Sequence, residues 1–170
     1  MNELDRIINW YEIAMDSQHV VLEILNSSPQ NIPANTVIGS KEPREIKENL
    51  LVAENELNDL TILSLVASFE QLVLDFTVKI VEENVGNTEN TLFYQMSKYA
   101  FKNADRWHFG DILDLFKSVI NPQIIGDVKQ VYRYRNWVAH GKKDRKPLAL
   151  EPYIAHERLS QFLYKLQNIV

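Results

Sequence analysis

A chain of 170 residues has the length of one domain, 1–170, and is long enough to bury a hydrophobic core. Hydrophobic residues make up 45% and charged residues 24% of the chain, while glycine (5) and proline (6) are scarce, which favours long helices over a turn-rich β fold. The absence of cysteine excludes disulfides and thiolate zinc sites, and the net charge of −5 is the sum of an acidic first half and a basic second half.

The first half of the chain contains two predicted helices separated by a loop. Residues 3–26 carry apolar side chains at helical spacing, which predicts an amphipathic helix. Residues 27–44 contain three prolines and a glycine, so we predict a long loop there. Residues 45–84 have a helical pattern with a break expected near Asn58-Asp59. The part after that break, LTILSLVASFEQLVLDFTVKI, is apolar nearly all round and is predicted to be the central buried helix.

The second half contains four more predicted helices. Two of them cover about 88–103 and 111–120. The next begins at Asn121-Pro122, with asparagine as the cap and proline in the first turn, and runs to His140, where Gly141 stops it. The last covers about 151–168. Since no strand pattern extends beyond a few residues, we predict an all-α bundle of about five to six helices.

The sequence also indicates a cellular location. The N-terminus, MNELDRIINW, lacks the basic-then-apolar pattern of a secretory signal. No apolar run approaches the roughly 20 residues needed to span a bilayer. We therefore expect a cytoplasmic protein without a membrane partner.

The segment VYRYRNWVAHGKK, residues 131–143, carries the most information about chemistry. On an ideal helix Arg133, Asn136 and His140 of this segment form a narrow polar stripe together with Lys129, which precedes it. Arg135 lies outside this stripe, in the middle of the apolar arc. Because a guanidinium stays charged and is costly to bury alone, Arg135 must either meet a buried acid or line a cleft.

Glu70 is the candidate acid for Arg135. It lies in the central helix among apolar residues one turn to either side, so it is also charged in an apolar setting. A pair between them would fix the direction of the arginine. The pair could equally be a plain buried ion pair that specifies packing and does no chemistry.

His140 adds a group that exchanges protons near neutrality. At the end of its helix the dipole favours the protonated imidazole, and Lys142 and Lys143 follow it. This combination suits acid–base work on a phosphodiester, although a histidine at this position also serves as an ordinary C-terminal cap. The other histidines show no ligand spacing, so we predict no metal site.

The residues Arg135–Gly141, RNWVAHG, resemble the R-x4–6-H motif of the HEPN superfamily, including the polar residue after the arginine. The AHG ending, the terminal helix and the SFEQLVLDF helix around Glu70 are most similar to the RiboL-PSP-type branch. The resemblance covers most of the chain in its order of helices, and its specificity rests on these seven residues. It implies a helical bundle that dimerises so that both motifs face one cleft. Many members are metal-independent endoribonucleases, often toxins or antiphage effectors.

Carried onto this chain, the resemblance implies cleavage of RNA without metal or cofactor. The ribose 2′-OH attacks the phosphorus, His140 moves protons, Arg135 stabilises the phosphorane oxygens and Asn136 positions the phosphate or the histidine. Basic side chains would hold the flanking backbone, namely Arg133, Lys142, Lys143, Arg145 and Lys146. The aromatic residues Tyr132, Tyr134 and Trp137 either stack bases or pack the interior.

Helix geometry supports a homodimer. Five residues correspond to about 140° around a helix axis, so Arg135 and His140 of one chain do not point at the same place. A second protomer across a two-fold axis would bring the missing group to each site.

Two alternatives to the nuclease remain open. A non-catalytic HEPN module would act as a dimeric adaptor or regulatory subunit, and its acidic half and 27–44 loop would bind a neighbouring-gene protein such as an antitoxin. A packing domain with an accidental Arg-His pattern would have neither role. The charge asymmetry does not decide between these hypotheses. Residues 101–170 carry 12 Lys and Arg against 7 Asp and Glu, which fits a polyanion partner and fits equally well solvated faces that merely differ in charge.

Overall fold

The computed structural model describes residues 2–85, 108–143 and 147–168 together with Leu92 and Met96, and in this part of the chain it contains five α-helices and no strand. The helices are α1 (Glu3–Ser27), α2 (Pro43–Val85), α3 (Phe109–Leu115), α4 (Pro122–Ala139) and α5 (Pro152–Gln167). Short 3-10 turns cover Pro29–Asn31 and Phe116–Ser118. The predicted all-α bundle with a connection at 27–44 is confirmed. The helix predicted at 88–103 lies, apart from Leu92 and Met96, outside the described residues.

Helix α4 begins and ends where its local sequence predicts, within one residue. The side chain of Asn121 accepts a hydrogen bond from the backbone N–H of Gln123 at 2.8 Å, and Pro122 is the first helical residue. At the other end Gly141 has φ +74°, a conformation that glycine adopts without strain. Its N–H and that of Lys142 donate to the last helical carbonyls, those of Val138 and Trp137 respectively. This arrangement makes His140 the cap.

The break predicted near Asn58-Asp59 is wrong, because α2 is one continuous helix of 43 residues. Asparagine and aspartate disturb helices when their side chains compete for nearby backbone groups. Here both are engaged elsewhere: Asn58 Oδ1 accepts a hydrogen bond from the hydroxyl of Tyr11 at 2.8 Å, and Asp59 accepts one from Tyr134 at 2.8 Å. The side chains therefore tie α2 to α1 and α4 instead of ending it.

The core lies where α2 meets α3, α4 and α5. Phe69 of α2 is fully buried and packs edge-to-face on Phe109 and Phe162, whose ring centroids lie 5.8 and 5.4 Å away. Five apolar residues of α5 are all buried, namely Ala155, Leu159, Phe162, Leu163 and Leu166. This packing makes α2 the central helix, as its apolar pattern predicts.

The apolar part of α2 is long. The helix from Pro43 to Glu83 has a window of mean hydropathy 1.5 with at most two charged residues, so by length and composition alone it is able to cross a membrane. The expectation that no apolar run approaches the length of a membrane span is therefore wrong, because a few isolated charges within a long apolar stretch leave its mean hydropathy high. In the bundle 39% of that window is buried, on the face that carries Ile62 and Phe69.

Candidate functional site

Arg135 lies beside Glu70, as its place in the apolar arc predicts. Arg135 Nη2 is 3.8 Å from Glu70 Oε2, which is close enough for an ion pair and too long for a hydrogen bond. The two side chains remain 31% and 22% exposed. Arg135 thus meets an acid, the first of its two expected environments, and its side chain also reaches the surface.

Two neighbours on α4 complete a cluster around this pair. Arg135 Nη1 donates a hydrogen bond to Asn136 Oδ1 at 3.1 Å, and Arg135 Cζ lies 5.8 Å from the centroid of the Tyr132 ring. The Tyr132 hydroxyl interacts in turn with the carboxylate of Glu70 and with the side chain of Asn136. We call Glu70, Tyr132, Arg135 and Asn136 the Arg135 cluster. It holds the guanidinium in one direction from two helices.

Burial shapes the electrostatics of the Arg135 cluster. Burial raises the pKa of the Glu70 carboxyl, and the charge of Arg135 and the Tyr132 hydroxyl oppose this only in part. Burial also raises the pKa of Tyr132, and the nearby charge of Glu70 acts in the same direction. Tyr132 therefore stays protonated at neutral pH.

His140 is exposed at the end of α4, outside this cluster. Its backbone N–H donates to the carbonyl of Asn136 at 2.9 Å, which makes it the last residue held by the helix. Within the described residues no hydrogen bond or ion pair joins Arg135 to His140. The dimer that would bring these two groups to one site stays a prediction.

Lys142, predicted to hold RNA, is engaged with acids of α2. Its Nζ lies 2.6 Å from Asp59 Oδ2 and 3.1 Å from Glu56 Oε1. Asp59 is only 5% exposed and also accepts the hydrogen bond from the Tyr134 hydroxyl. Burial, together with this hydrogen bond, raises the pKa of Tyr134 to about 12. Asp59 therefore anchors the turn that carries His140, a role that sequence reasoning missed because it expected a helix break there.

The other predicted RNA-binding residues divide into three groups. Lys143 is exposed after the turn, while Arg145 and Lys146 lie outside the described residues. Arg133 is exposed and forms part of the wall of a cavity of about 650 Å³ between α4 and α5. Arg158 of α5 lines the same cavity. Sequence reasoning missed Arg158, because nothing in a single arginine on a polar helix face indicates what lies opposite.

The aromatic residues of α4 pack the interior. Tyr134 is buried, and its ring lies 5.6 Å from that of Trp137. Tyr132 packs against Phe109 at 5.5 Å and against the ring of His108 at 6.3 Å. Of the two open expectations for these aromatic residues, packing is the one they follow.

The remaining histidines are separate from one another. His156 Nε2 lies 3.1 Å from Asp5 Oδ1 and joins α5 to α1. His108 contacts Tyr132 and so borders the Arg135 cluster, which its position in the sequence does not indicate. Among the described residues no three His, Asp or Glu side chains group as a metal ion would need, and the metal-free reaction stays a prediction.

Comparisons with protein-family models, with curated proteins and with solved structures found no match to this chain. The groups available for chemistry are a half-buried, oriented guanidinium at Arg135, an exposed imidazole at His140 and a cavity bordered by Arg133. Arg133 and Arg135 lie on α4, and His140 caps its C-terminal end.

Proposed function

We propose that this protein is a metal-independent endoribonuclease of the HEPN type, acting in the cytoplasm as a homodimer. The observation that carries the proposal is the state of Arg135. It is 31% exposed, its ion pair with Glu70 is too long for a hydrogen bond, and among the described residues its one hydrogen-bond acceptor is Asn136. Most of its five N–H donors are therefore free to bind phosphate oxygens.

The proposed reaction is transesterification. The ribose 2′-oxygen forms a bond to phosphorus and the bond from phosphorus to the 5′-oxygen breaks, leaving a 2′,3′-cyclic phosphate and a 5′-OH end. His140 of one protomer accepts the proton of the 2′-OH and, once protonated, supplies that proton to the leaving 5′-oxygen. Arg135 stabilises the added charge on the phosphorane, and Asn136 keeps Arg135 directed. Such an enzyme fits a toxin or an antiphage effector.

A second candidate is a non-catalytic module that binds a protein partner, such as a neutralising antitoxin. The observation that favours it is that basic residues near the motif are already paired with acids. Lys142 pairs with Asp59 and Glu56, and Lys129 pairs with Asp114. These two charges contribute little to holding RNA.

The test is a ribonuclease assay in EDTA with single-stranded RNA and the matching all-deoxy strand. We expect the wild type to cut RNA only, and Arg135→Ala and His140→Ala to lose at least 100-fold in rate. Matched controls are Arg44→Ala, whose side chain is 91% exposed on α2, and His19→Ala on α1, which is also exposed. Both should keep wild-type rates.

Two results would contradict the nuclease. Cleavage of the all-deoxy strand excludes the 2′-OH mechanism. Intact RNA at high protein concentration, with a stable complex formed by a neighbouring-gene product, favours the binding module instead.

The dimer can be tested with the same variants. If each site takes Arg135 from one protomer and His140 from the other, mixing the two inactive variants produces heterodimers with one intact site. Activity should then return to a fraction of the wild-type rate. Two folded, mixed variants that exchange subunits and stay inactive would refute a site shared between protomers.

A further inference from the structure

The cavity between α4 and α5 is bordered by two arginines. Its volume of about 650 Å³ falls within the roughly 300–1,000 Å³ of small-molecule sites. Arg133 of α4 and Arg158 of α5 both line it, so two guanidinium groups from different helices border one space. Arg158 Nη1 donates a hydrogen bond to Gln130 Oε1 at 3.2 Å, which fixes the direction of that guanidinium. Such a pair of guanidinium groups is suited to a phosphate.

The wall of the cavity also contains apolar side chains and one acid. Leu148 and Ile154 line it, and Leu148 is 84% exposed, so it is not part of the core. Glu151 lies at the same wall. A carboxylate there disfavours a fully apolar ligand, but it accepts hydrogen bonds from hydroxyl or amino groups.

We propose that this cavity binds a nucleotide. The phosphate lies between Arg133 and Arg158, the base packs against Leu148 and Ile154, and Glu151 accepts a hydrogen bond from a ribose hydroxyl or a base amino group. Three other cavities in the described part of the chain have no arginine in their walls.

On an ideal helix, Arg133 in the cavity wall and His140 lie on the same side of α4. Arg133 and His140 are seven residues apart, which places them about 10 Å apart along the axis and about 20° apart around it. A nucleotide in the cavity is therefore near the position of a strand whose scissile phosphate lies at His140. This use for an RNA strand rests on the proposed nuclease function, whereas binding of a free nucleotide does not.

The experiment is isothermal titration calorimetry in EDTA with AMP, adenosine and inorganic phosphate. We expect AMP to bind at least tenfold more tightly than either of its parts. Arg133→Gln and Arg158→Gln should each weaken AMP binding at least tenfold, and Arg44→Gln, which removes the same charge far from the cavity, should leave it unchanged. Leu148→Asp places a negative charge, like that of the phosphate, in the cavity wall. Because Leu148 is exposed, this substitution should weaken AMP binding without affecting folding.

Three outcomes overturn the nucleotide site: no AMP binding at millimolar concentration, phosphate binding as tightly as AMP, or AMP binding that is equal in Arg158→Gln, Leu148→Asp and the wild type. Competition separates the two sources of the ligand. Short single-stranded RNA that displaces AMP from the non-cleaving His140→Ala variant identifies the cavity as part of an RNA site. AMP binding that RNA does not displace identifies a free nucleotide as the ligand.

The failure of the two proposals is distinguishable. AMP binding in a protein that cuts no RNA upholds the cavity and removes the nuclease. RNA cleavage with no AMP binding and an unchanged KM in Arg158→Gln removes the cavity and upholds the nuclease.

Discussion

Replacing Asp59 by alanine removes the carboxylate that joins the middle of α2 to the end of α4. The side chain is buried, accepts the hydrogen bond of Tyr134 at 2.8 Å and lies 2.6 Å from Lys142 Nζ. After the substitution the Tyr134 hydroxyl has no acceptor in a residue that is 7% exposed. Lys142 keeps Glu56 as its partner.

The cost follows from these contacts. A buried hydroxyl left without an acceptor costs about 1–3 kcal/mol. The Lys142 side chain is 36% exposed, so losing its partner adds about 1 kcal/mol or less after solvent screening. We therefore expect Asp59→Ala to lower the free energy of unfolding by roughly 1–4 kcal/mol. Tyr134→Phe leaves the carboxylate paired with Lys142 and should cost about 1 kcal/mol.

The assay is urea denaturation followed by far-UV circular dichroism, with the midpoint and slope fitted for each variant. Glu56→Ala is the matched control, since this acid contacts the same lysine but is 61% exposed, and we expect a loss of about 0.5 kcal/mol or less. The expected order of destabilisation is Asp59→Ala, then Tyr134→Phe, then Glu56→Ala. A loss below about 0.5 kcal/mol for Asp59→Ala, or an equal loss for Glu56→Ala, would refute the reasoning.

Three further predictions concern stability. Gly141→Ala should lower the free energy of unfolding by about 1 kcal/mol, because φ at this position is +74°. Gly126→Ala, inside α4 with no atom within 4 Å of the new Cβ, should raise the free energy of unfolding by up to about 1 kcal/mol. Thermal unfolding that shifts in the same direction for both variants would contradict this. Phe69→Ala should lower the free energy of unfolding, measured in urea, by about 3–5 kcal/mol, because the residue is fully buried. A change near zero would contradict its place in the core. The pKa of Tyr134 rises from 10.0 to about 12 on folding, so the protonated hydroxyl stabilises the folded state fully below pH 10, and this stabilisation is lost as the pH rises to 12. Across that pH window the free energy of unfolding should fall by roughly 2–3 kcal/mol more for the wild type than for Tyr134→Phe. Parallel curves of this free energy against pH for the two proteins would exclude the titration.

The ends of α4 and the position of Arg135 were predictable because they depend on local chemistry. Asn121 and Pro122 start a helix through their own backbone and side chains, and Gly141 ends it through a φ that other residues avoid. Arg135 and Glu70 each carry a charge within an apolar helical face, and such charges need partners. Their pairing across two helices could therefore be anticipated without a structure.

The continuity of α2 and the roles of Lys142 and Arg158 could not be anticipated in this way. Asp59 and Tyr134 are 75 residues apart, and Arg158 and Gln130 are 28 apart, so their contacts exist only once the helices pack. Lys142 reads as a free cation in the sequence and is an anchor in the fold.

The sequence alone determined the all-α class, the ends of α4 and the order of Arg135, Asn136 and His140 along it, because periodicity, capping and backbone conformation act over a few residues. Only the tertiary structure decided which charges are neutralised and where a cavity remains. Those outcomes depend on which side chains meet across packed helices, and a one-dimensional pattern does not contain that information.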